Sequence, residues 1–255
     1  MSKRVQDFKV TENRKLGKET CILELLSDTA LPDIKPGQFV QVRIDGSSET
    51  MLRRPFSVHD ADFEKRTLKL LVQVAGKGSS VLYNLGKNAS LNLVLPLGNS
   101  FTIPSGKENV ILIGGGSGIA PLLYLSGFLN KTGIRPDILL GFRNSERMID
   151  LEDFRKSGNL MVTTEDGSSG EKGYVTDHSV LKTGNFGRIY CCGPDLMMKA
   201  VAGYATKHSI ECEVSLEHLM GCGFGICLCC VVDSKKGNVC TCTDGPVFNI
   251  NELKW

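Results

Sequence analysis

The C-terminal part of the chain carries six cysteines within twenty-one residues, and this feature restricts the possible folds most strongly. Cys222, Cys227 and Cys230 are separated by four and then two residues, and further cysteines follow at positions 240 and 242. This C-x4-C-x2-C…C spacing is that of the ligands of a plant-type [2Fe–2S] cluster. The chain must therefore fold so that four thiolates meet around two irons.

Glycines occupy positions 221, 223 and 225, on either side of the first of these cysteines. A residue without a Cβ adopts the unusual backbone dihedrals that wrapping a cluster closely requires. We also expect the backbone amides of this loop to donate hydrogen bonds to the cluster sulfurs.

Three other interpretations of the cysteines compete with the iron–sulfur cluster. Zinc sites usually use two short C-x2-C pairs, disulfides need an oxidising compartment, and buried structural cysteines rarely lie so close together. The spacing therefore favours the iron–sulfur cluster. Cys229 fits no ligand spacing once Cys227 and Cys230 are assigned, so we expect it to pack. Cys240 and Cys242 remain alternatives for the fourth ligand.

Composition excludes several classes of partner. The net charge is +2 and no long basic run is present, which argues against nucleic acid and acidic membranes. The first residues lack an apolar signal core, and no stretch approaches the roughly eighteen apolar residues that span a bilayer. Ten cysteines without an export signal indicate a reducing compartment and metal ligation. We expect a soluble, cytoplasmic protein.

Residues 1–100 contain short segments with the period-two alternation of half-buried strands. The clearest segments are residues 38–44 and 68–74, and residues 21–26 and 91–95 are shorter candidates. Turn signals such as Pro36-Gly37 separate them. Many short strands with little helix predict a small closed antiparallel β-barrel.

Residues 101–213 follow a different pattern, in which buried strands alternate with helices. This alternation predicts a doubly wound parallel sheet, an α/β domain. The predicted strands are residues 110–113, 137–142, 160–164, 188–192 and 210–216, and the predicted helices are residues 119–129, a short helix from Asp150, and residues 195 to about 207. Residues 214–255 complete the chain as a small cysteine-rich domain.

A glycine run, Gly114-Gly115-Gly116-Ser117-Gly118, follows the first predicted strand of the α/β domain. Glycines let a phosphate approach the backbone, and the N-terminus of the next helix supplies free N–H groups. The run departs from the spaced G-x-G-x-x-G pattern, and a tight turn would also use glycines. Its position nevertheless favours a bound dinucleotide.

Three further motifs are candidates for cofactor binding. Cys192-Gly193-Pro194 ends a predicted strand at the edge where doubly wound sheets bind ligands, although a Gly-Pro turn before a helix is common. Arg53-Arg54-Pro55-Phe56-Ser57 combines two guanidiniums, a ring and a hydroxyl, which suit a diphosphate and a flat ring system. An exposed basic strand end would explain it equally well. Gly78 and Ser79 begin a short helix and are a second candidate for the same phosphates, or simply a turn.

Taken together and in this order, the motifs resemble those of the ferredoxin–NADP reductase superfamily. The short cysteine-rich end, closing in Asp244-Gly245-Pro246-Val247-Phe248, is similar to that of the electron-transfer subunits of type B dihydroorotate dehydrogenases. The resemblance covers essentially the whole chain. It implies an FAD-binding barrel at 1–100, an NAD-binding domain at 101–213 and a [2Fe–2S] domain at 214–255.

The resemblance also implies site residues, which fall into three groups. FAD would contact Arg53, Arg54, Pro55, Phe56, Ser57, Leu71, Val72, Gln73, Gly78 and Ser79. NAD would contact Gly114 to Pro121 together with Cys192, Gly193 and Pro194. The cluster would be held by Cys222, Cys227, Cys230 and Cys242, since Cys242 is the cysteine of the terminal Cys-x-Asp-Gly-Pro-Val-Phe motif that the resemblance implies. Phe56 replaces the tyrosine common in the superfamily, so stacking on a flavin is kept but a phenolic hydrogen bond is not.

The function implied by the resemblance is electron transfer in pyrimidine biosynthesis. Electrons from dihydroorotate oxidation would pass from a catalytic FMN-containing dihydroorotate dehydrogenase subunit, through the [2Fe–2S] cluster and FAD, to NAD+. No acid–base residue is required, so none is assigned as catalytic. Alternatives are a reductase subunit of a sulfide dehydrogenase or hydrogenase type complex, or a redox-sensing flavoprotein without turnover. Arg143 after the second α/β strand leaves NADP open on sequence grounds, whereas the resemblance implies NAD.

Overall fold

The computed structural model describes residues 3–45, 50–106, 108–149 and 151–255. The chain divides into two compact units. The first contains Met1–Ser100, His218–Val232 and Asn238–Pro246, and the second contains Phe101–Glu217, Asp233–Gly237 and Val247–Trp255. Residues of the predicted C-terminal domain therefore contribute to both units.

The first unit is built on a closed antiparallel barrel, as predicted. Its strands are hydrogen-bonded in the order β1-β2-β5-β4-β3-β6. The strands are β1 (Arg4–Lys15), β2 (Thr20–Ser27), β3 (Phe39–Val42), β4 (Arg54–Asp62), β5 (Thr67–Gln73) and β6 (Ser90–Leu97). A single short helix, α1 (Lys77–Tyr83), lies between β5 and β6 in the chain. Closure of the barrel removes the exposed sheet edges that would otherwise promote aggregation.

The second unit is built on a seven-stranded sheet. Its order is β10-β9-β8-β7-β11-β12-β15, and all neighbouring pairs are parallel except β12 with the C-terminal strand β15. The strands are β7 (Val110–Gly115), β8 (Asp137–Phe142), β9 (Asn159–Thr164), β10 (Glu171–Lys172), β11 (Arg188–Cys192), β12 (Glu211–Ser215) and β15 (Val247–Asn249). The predicted parallel sheet is confirmed.

Helices connect these parallel strands. They are α2 (Ala120–Lys131), α3 (Leu151–Ser157), α4 (Ser179–Thr183) and α5 (Asp195–His208). Pro121 lies in the first turn of α2, where its missing N–H removes no helical hydrogen bond. Asp150, at which a helix was predicted to begin, lies outside the described residues. Within the described part of the chain, none of the helices has the length and apolar character needed to cross a membrane.

The strand order of the second unit reverses beside β7. The chain runs outward from β7 to β8 and β9, then returns to the other side of β7 with β11 and β12. Every residue of β7 is buried, which explains its continuous apolar run. In sheets of this kind, ligands bind at the carboxyl ends of the two strands that flank the reversal. Here those strands are β7 and β11.

The cysteine-rich end has little regular structure of its own. β13 (Val231–Ser234) and β14 (Gly237–Cys240) form a two-stranded hairpin. The residues before this hairpin, 218–230, form a loop of bends and turns. We call residues 221–230 the cysteine loop.

Candidate metal and nucleotide sites

The cysteine loop is wound so that its backbone amides face sulfur atoms. Gly223 and Gly225 adopt positive φ angles of 80° and 82°, a conformation that residues with a side chain rarely adopt. The N–H of Phe224 donates to Cys222 Sγ at 3.3 Å, and the N–H of Cys222 donates to Cys227 Sγ at 3.4 Å. Loop amides therefore donate to the sulfurs of two candidate ligands, and such hydrogen bonds stabilise negatively charged sulfur.

The loop meets the hairpin end on the surface of the barrel. Cys230, Cys240 and Cys242 are buried in one apolar cluster that also contains Phe39 of β3 and Leu97 of β6. Met220 and Val231 pack against the same cluster. Cys222 is half-buried and Cys227 is exposed. The candidate ligands are thus buried against apolar side chains where they face the barrel, and they are accessible to solvent at Cys227. Apolar side chains around a metal centre control the access of water to it.

The protonation of the thiols follows from these surroundings. Burial opposes ionisation of Cys222, but the backbone N–H groups of Phe224 and Cys227 outweigh it and lower the pKa of that thiol to about 6. Burial raises the pKa of Cys242 to about 12, and the neighbouring Cys230 acts in the same direction. Thiolates packed this closely repel one another. A cationic iron centre removes that repulsion, so the donor set fits the [2Fe–2S] group.

Across the described ranges of the chain, no group of three His, Cys, Asp or Glu side chains stands in an arrangement that could hold a metal ion. The assignment of the cluster ligands therefore rests on cysteine spacing and on the contacts described above.

Two cysteines beyond the first three ligands compete for the fourth place. Cys242 Sγ accepts the N–H of Gly225 at 3.1 Å, which joins it to the cysteine loop. The backbone N–H of Cys240 is held by Asp244 Oδ2 at 2.7 Å, and burial beside Cys230 raises the pKa of its thiol. The hydrogen bond from Gly225 supports Cys242 as the fourth ligand.

Cys229 is exposed, so the prediction that it packs is wrong. It lies in the solvent-facing turn just before β13.

The two arginines of the flavin motif have different surroundings. The guanidinium of Arg53 donates to the backbone oxygens of Gln41 at 3.3 Å and Asn92 at 2.8 Å, and to Asn92 Oδ1 at 2.5 Å. Burial lowers the pKa of the Arg53 guanidinium.

Arg54 donates to Leu52 O at 2.7 Å and lies directly beside Gly78. A Cβ at Gly78 would stand 3.3 Å from Arg54 Nε. Arg54 and the start of α1 therefore lie against each other, an arrangement we call the cradle, and a guanidinium at this position suits the charge of a diphosphate.

Two further flavin candidates, Ser57 and Leu71, lie on adjacent strands of the barrel. Val58 of β4 lies opposite Leu70 of β5, so Ser57 and Leu71 are neighbours across the two strands. The hydroxyl of Ser79 accepts the N–H groups of Ala75 and Gly76 at 2.8 and 3.1 Å, and it thereby fixes the loop before α1. Phe56 and Ser57 are half-buried, which leaves part of each accessible to a ring system.

The glycine run and the Cys-Gly-Pro motif meet at the reversal of the second unit. A Cβ placed on Gly118 would lie 2.4 Å from Gly193 Cα and 2.5 Å from Gly193 N. The turn after β7 and the turn after β11 therefore pack backbone against backbone. The helical segment after β7 begins in this same turn, and N–H groups at the start of a helix bind phosphate.

Neighbouring side chains pack closely against one glycine of the run after β7 but leave another free. A Cβ on Gly115 would meet Met197 Sδ at 2.6 Å, whereas one on Gly116 would meet nothing within 4 Å. Gly116 has a φ of 56° and is exposed. Gly116 is thus a residue of this turn at which solvent, and therefore a ligand, reaches the backbone. Burial raises the pKa of the Cys192 thiol well above its usual value, which keeps this sulfur neutral.

Sequence reasoning missed Gln41. The alternation along residues 38–44 suggested a polar position facing solvent, but all four residues of β3 are buried. No pattern in the sequence distinguishes Gln41 from an exposed strand residue, because its burial results from the cysteine loop that covers it.

The chain matches two family models. Residues 217–254 match the iron–sulfur cluster binding domain of dihydroorotate dehydrogenase B, and residues 112–203 match the oxidoreductase NAD-binding domain. Several relatives are named dihydroorotate dehydrogenase B (NAD(+)), electron transfer subunit. One from Caldanaerobacter subterraneus is 38% identical and covers 96% of both chains. One from Fusobacterium nucleatum is 33% identical and covers 98% of this chain and 99% of the relative.

This chain belongs to the family of dihydroorotate dehydrogenase B electron transfer subunits. The resemblance found in its sequence motifs is therefore confirmed.

Solved structures support the fold of this family member. The NADH-dependent reduced ferredoxin–NADP oxidoreductase studied for flavin-based electron bifurcation is 30% identical, with a TM-score of 0.88 over 97% of this chain and 90% of that chain. Phthalate dioxygenase reductase is 19% identical, with a TM-score of 0.66 over 85% of this chain and 70% of that chain. The latter likeness concerns the fold alone.

Proposed function

We propose that this chain is the electron transfer subunit of an NAD-linked dihydroorotate dehydrogenase in pyrimidine biosynthesis. Electrons from dihydroorotate oxidation, at the FMN of a partner catalytic subunit, pass through a [2Fe–2S] cluster and FAD to NAD+. The observation that carries the proposal is the cysteine loop. It matches the iron–sulfur domain of this family and packs on β3, the strand paired with the flavin-motif strand β4.

The cofactors are FAD, a [2Fe–2S] cluster and NAD. We assign the cluster to Cys222, Cys227, Cys230 and Cys242. FAD is assigned to the cradle of Arg54 and Gly78 with the neighbouring β4 and β5 residues. NAD is assigned to the two turns that meet at Gly118 and Gly193. When bound, the flavin exchanges a hydride with the nicotinamide and single electrons with the cluster.

The protein's own contribution is position and electrostatics. The amides of Phe224 and Gly225 donate to ligand sulfurs, which stabilises the more negative, reduced state of a cluster. Phe39, Leu97 and Met220 exclude water from the barrel side of the ligand set. Thiolate ligands of this kind persist in a reducing compartment, so we also propose a cytoplasmic location.

The partner surface is assigned to exposed apolar side chains of the cysteine loop and its flank. Leu219 is 79% exposed, Ile226 82% and Leu228 63%, while Phe224 is 36% exposed beneath Lys3 Nζ. We call these four residues the loop patch. Several exposed apolar side chains close together in one loop beside a redox centre are the kind of surface that associates with another protein. We propose that the loop patch docks onto the catalytic subunit.

One experiment tests the function directly. The chain is co-expressed with a catalytic FMN-containing dihydroorotate dehydrogenase subunit, and formation of NADH on addition of dihydroorotate and NAD+ is followed by absorbance. The proposal expects NADH formation that requires both chains. A complex that oxidises dihydroorotate with an artificial acceptor but never forms NADH would contradict it.

A second candidate function is a subunit of a different NAD(P)H-linked complex. The observation in its favour is the likeness to the NADH-dependent reduced ferredoxin–NADP oxidoreductase at 30% identity. Purification of the chain from its native source separates the two. Co-elution with a dihydroorotate-oxidising flavoprotein supports the first function, and co-elution with a ferredoxin-oxidising one supports the second.

A further inference from the structure

The side-chain amide of Gln41 is buried without a hydrogen-bond partner. The residue has 0% of its surface exposed. Neither Nε2 nor Oε1 makes a hydrogen bond to any residue that the structure describes. Leaving a buried polar group unpaired is costly, so folded proteins rarely keep one without a reason.

The amide faces the cysteine loop. A Cβ on Gly223 would stand 2.9 Å from Gln41 Cγ and 3.2 Å from Gln41 Nε2. Gly223 directly follows Cys222, whose Sγ accepts the N–H of Phe224. Phe39, two residues before Gln41 on the same face of β3, belongs to the cluster that buries Cys230 and Cys242. Gln41 therefore lies under the loop that carries the candidate ligands.

The same residue adjoins the flavin motif. In the β3–β4 ladder, Gln41 lies opposite Pro55 of the Arg-Arg-Pro-Phe-Ser segment. Its backbone oxygen also accepts a hydrogen bond from Arg53. Gln41 thus connects the strand assigned to FAD with the loop assigned to the cluster.

We propose that the Gln41 amide donates a hydrogen bond to a sulfur of the [2Fe–2S] cluster and thereby raises its reduction potential. Hydrogen bonds to cluster sulfurs stabilise the reduced state, which carries one more negative charge. The proposal rests on the assignment of the cluster under the proposed function. Gln41 acts on the cluster as a positioning residue and takes no part in bond making.

Gln38 provides a matched comparison. It is also a buried glutamine next to β3, but its amide is fully engaged: Oε1 accepts the N–H of Lys35 at 2.8 Å, and Nε2 donates to Gly98 O at 2.9 Å. Gln38 thus stabilises the local fold through its hydrogen bonds, whereas the amide of Gln41 faces the cysteine loop without one. Substitution of each should therefore have a different consequence.

The test uses purified holoprotein with Gln41→Leu, which removes the donor, and Gln41→Glu, which keeps the shape but not the N–H. The midpoint potential of the cluster is measured by redox titration, followed through the electron paramagnetic resonance signal of the reduced cluster. Both variants should make the one-electron reduction of the cluster about tenfold less favourable, which corresponds to about 59 mV. Gln38→Leu should lower thermal stability but leave the potential unchanged.

Each remaining outcome decides the question. Gln41 variants that carry a full cluster with the wild-type potential and resonance signal would overturn the proposal, as would a shift of the flavin potential alone. Loss of the cluster from both Gln41 variants, while Gln38→Leu retains it, would support the proposal. A wild-type chain without iron and sulfide would instead refute the cluster assignment itself.

Discussion

The backbone N–H of Gly225 donates a hydrogen bond to Cys242 Sγ at 3.1 Å. This contact joins the cysteine loop to the turn that precedes the Asp244-Gly245-Pro246 segment, seventeen residues further along the chain. Gly225 has a positive φ angle of 82°, which few residues other than glycine adopt. The fourth ligand of the candidate cluster is thus placed by the loop that carries the other three.

Serine substitutions test the ligand assignment. Cys222→Ser, Cys227→Ser, Cys230→Ser and Cys242→Ser should each lose the visible absorbance of the cluster, because a hydroxyl is a much poorer iron ligand than a thiolate. Cys229→Ser should keep two irons and two sulfides per chain, since this thiol is exposed and outside the ligand spacing.

Cys240→Ser provides the decisive control for the fourth ligand. It removes a buried thiol next to Cys242 and should retain the cluster. Iron and sulfide analysis of anaerobically prepared protein checks each variant. Retention of the cluster by Cys242→Ser together with its loss from Cys240→Ser would reverse the assignment.

Gly118→Ala should impair NAD binding. The added methyl group would lie 2.4 Å from Gly193 Cα, so the turns after β7 and β11 must separate. Misplacement by about 1 Å costs up to about a hundredfold in a positioned site, and we expect NADH to bind about tenfold to a hundredfold more weakly. Equilibrium titration with NADH measures this.

Gly127→Ala in α2 is the matched control. A Cβ at this position meets nothing within 4 Å, and alanine in a helix interior is more stable than glycine by about 0.5–1 kcal/mol. NADH binding should remain at the wild-type level. Equal weakening by both substitutions would show that the contact between the two turns is unimportant.

The two arginines of the flavin motif should separate into a structural and a binding role. Arg54→Leu should weaken FAD binding about 10- to 100-fold, because a hydrogen bond to a charged group contributes about 1.5–3 kcal/mol, while the barrel keeps its stability. Arg53→Leu should lower the free energy of unfolding by about 1–3 kcal/mol, because the backbone oxygens of Gln41 and Asn92 lose their donor. FAD titration and chemical denaturation distinguish the two. Unchanged FAD affinity in Arg54→Leu would contradict the phosphate assignment.

A charge in the loop patch should prevent productive docking. Phe224→Asp should retain FAD, iron and reduction of the flavin by NADH, but lose co-elution with the catalytic subunit and electron transfer from it. Phe63 in the β4–β5 turn is a matched control, since it is 44% exposed compared with 36% for Phe224. Phe63→Asp should assemble normally. If Phe224→Asp assembles and turns over like Phe63→Asp, docking does not involve the loop patch.

Much of the fold could be predicted from local sequence pattern. β8 (Asp137–Phe142) and β11 (Arg188–Cys192) have the predicted bounds, because strands buried on both faces leave continuous apolar runs. β1 (Arg4–Lys15) was missed. Most of its side chains are exposed, and it is held by its backbone ladders with β2 and β6, which leave little trace in side-chain pattern.

The candidate sites likewise contain features that local sequence pattern predicts and features that it does not. The cysteine spacing and the glycine run indicate ligand types because the chemistry requires those residues close together in the chain. The contact between Gly118 and Gly193, and the burial of Gln41 beneath Gly223, join residues far apart in sequence. Such contacts depend on how distant segments pack, which local periodicity does not encode.

The most direct test of electron transfer through this chain is dihydroorotate-driven NADH formation by the two-subunit complex, with the wild-type chain and with Cys227→Ser. The account predicts NADH formation with the wild-type chain. It predicts loss of that activity in Cys227→Ser, while NADH still reduces the FAD of the variant. Wild-type rates of dihydroorotate-driven NADH formation by a cluster-free Cys227→Ser complex would contradict it.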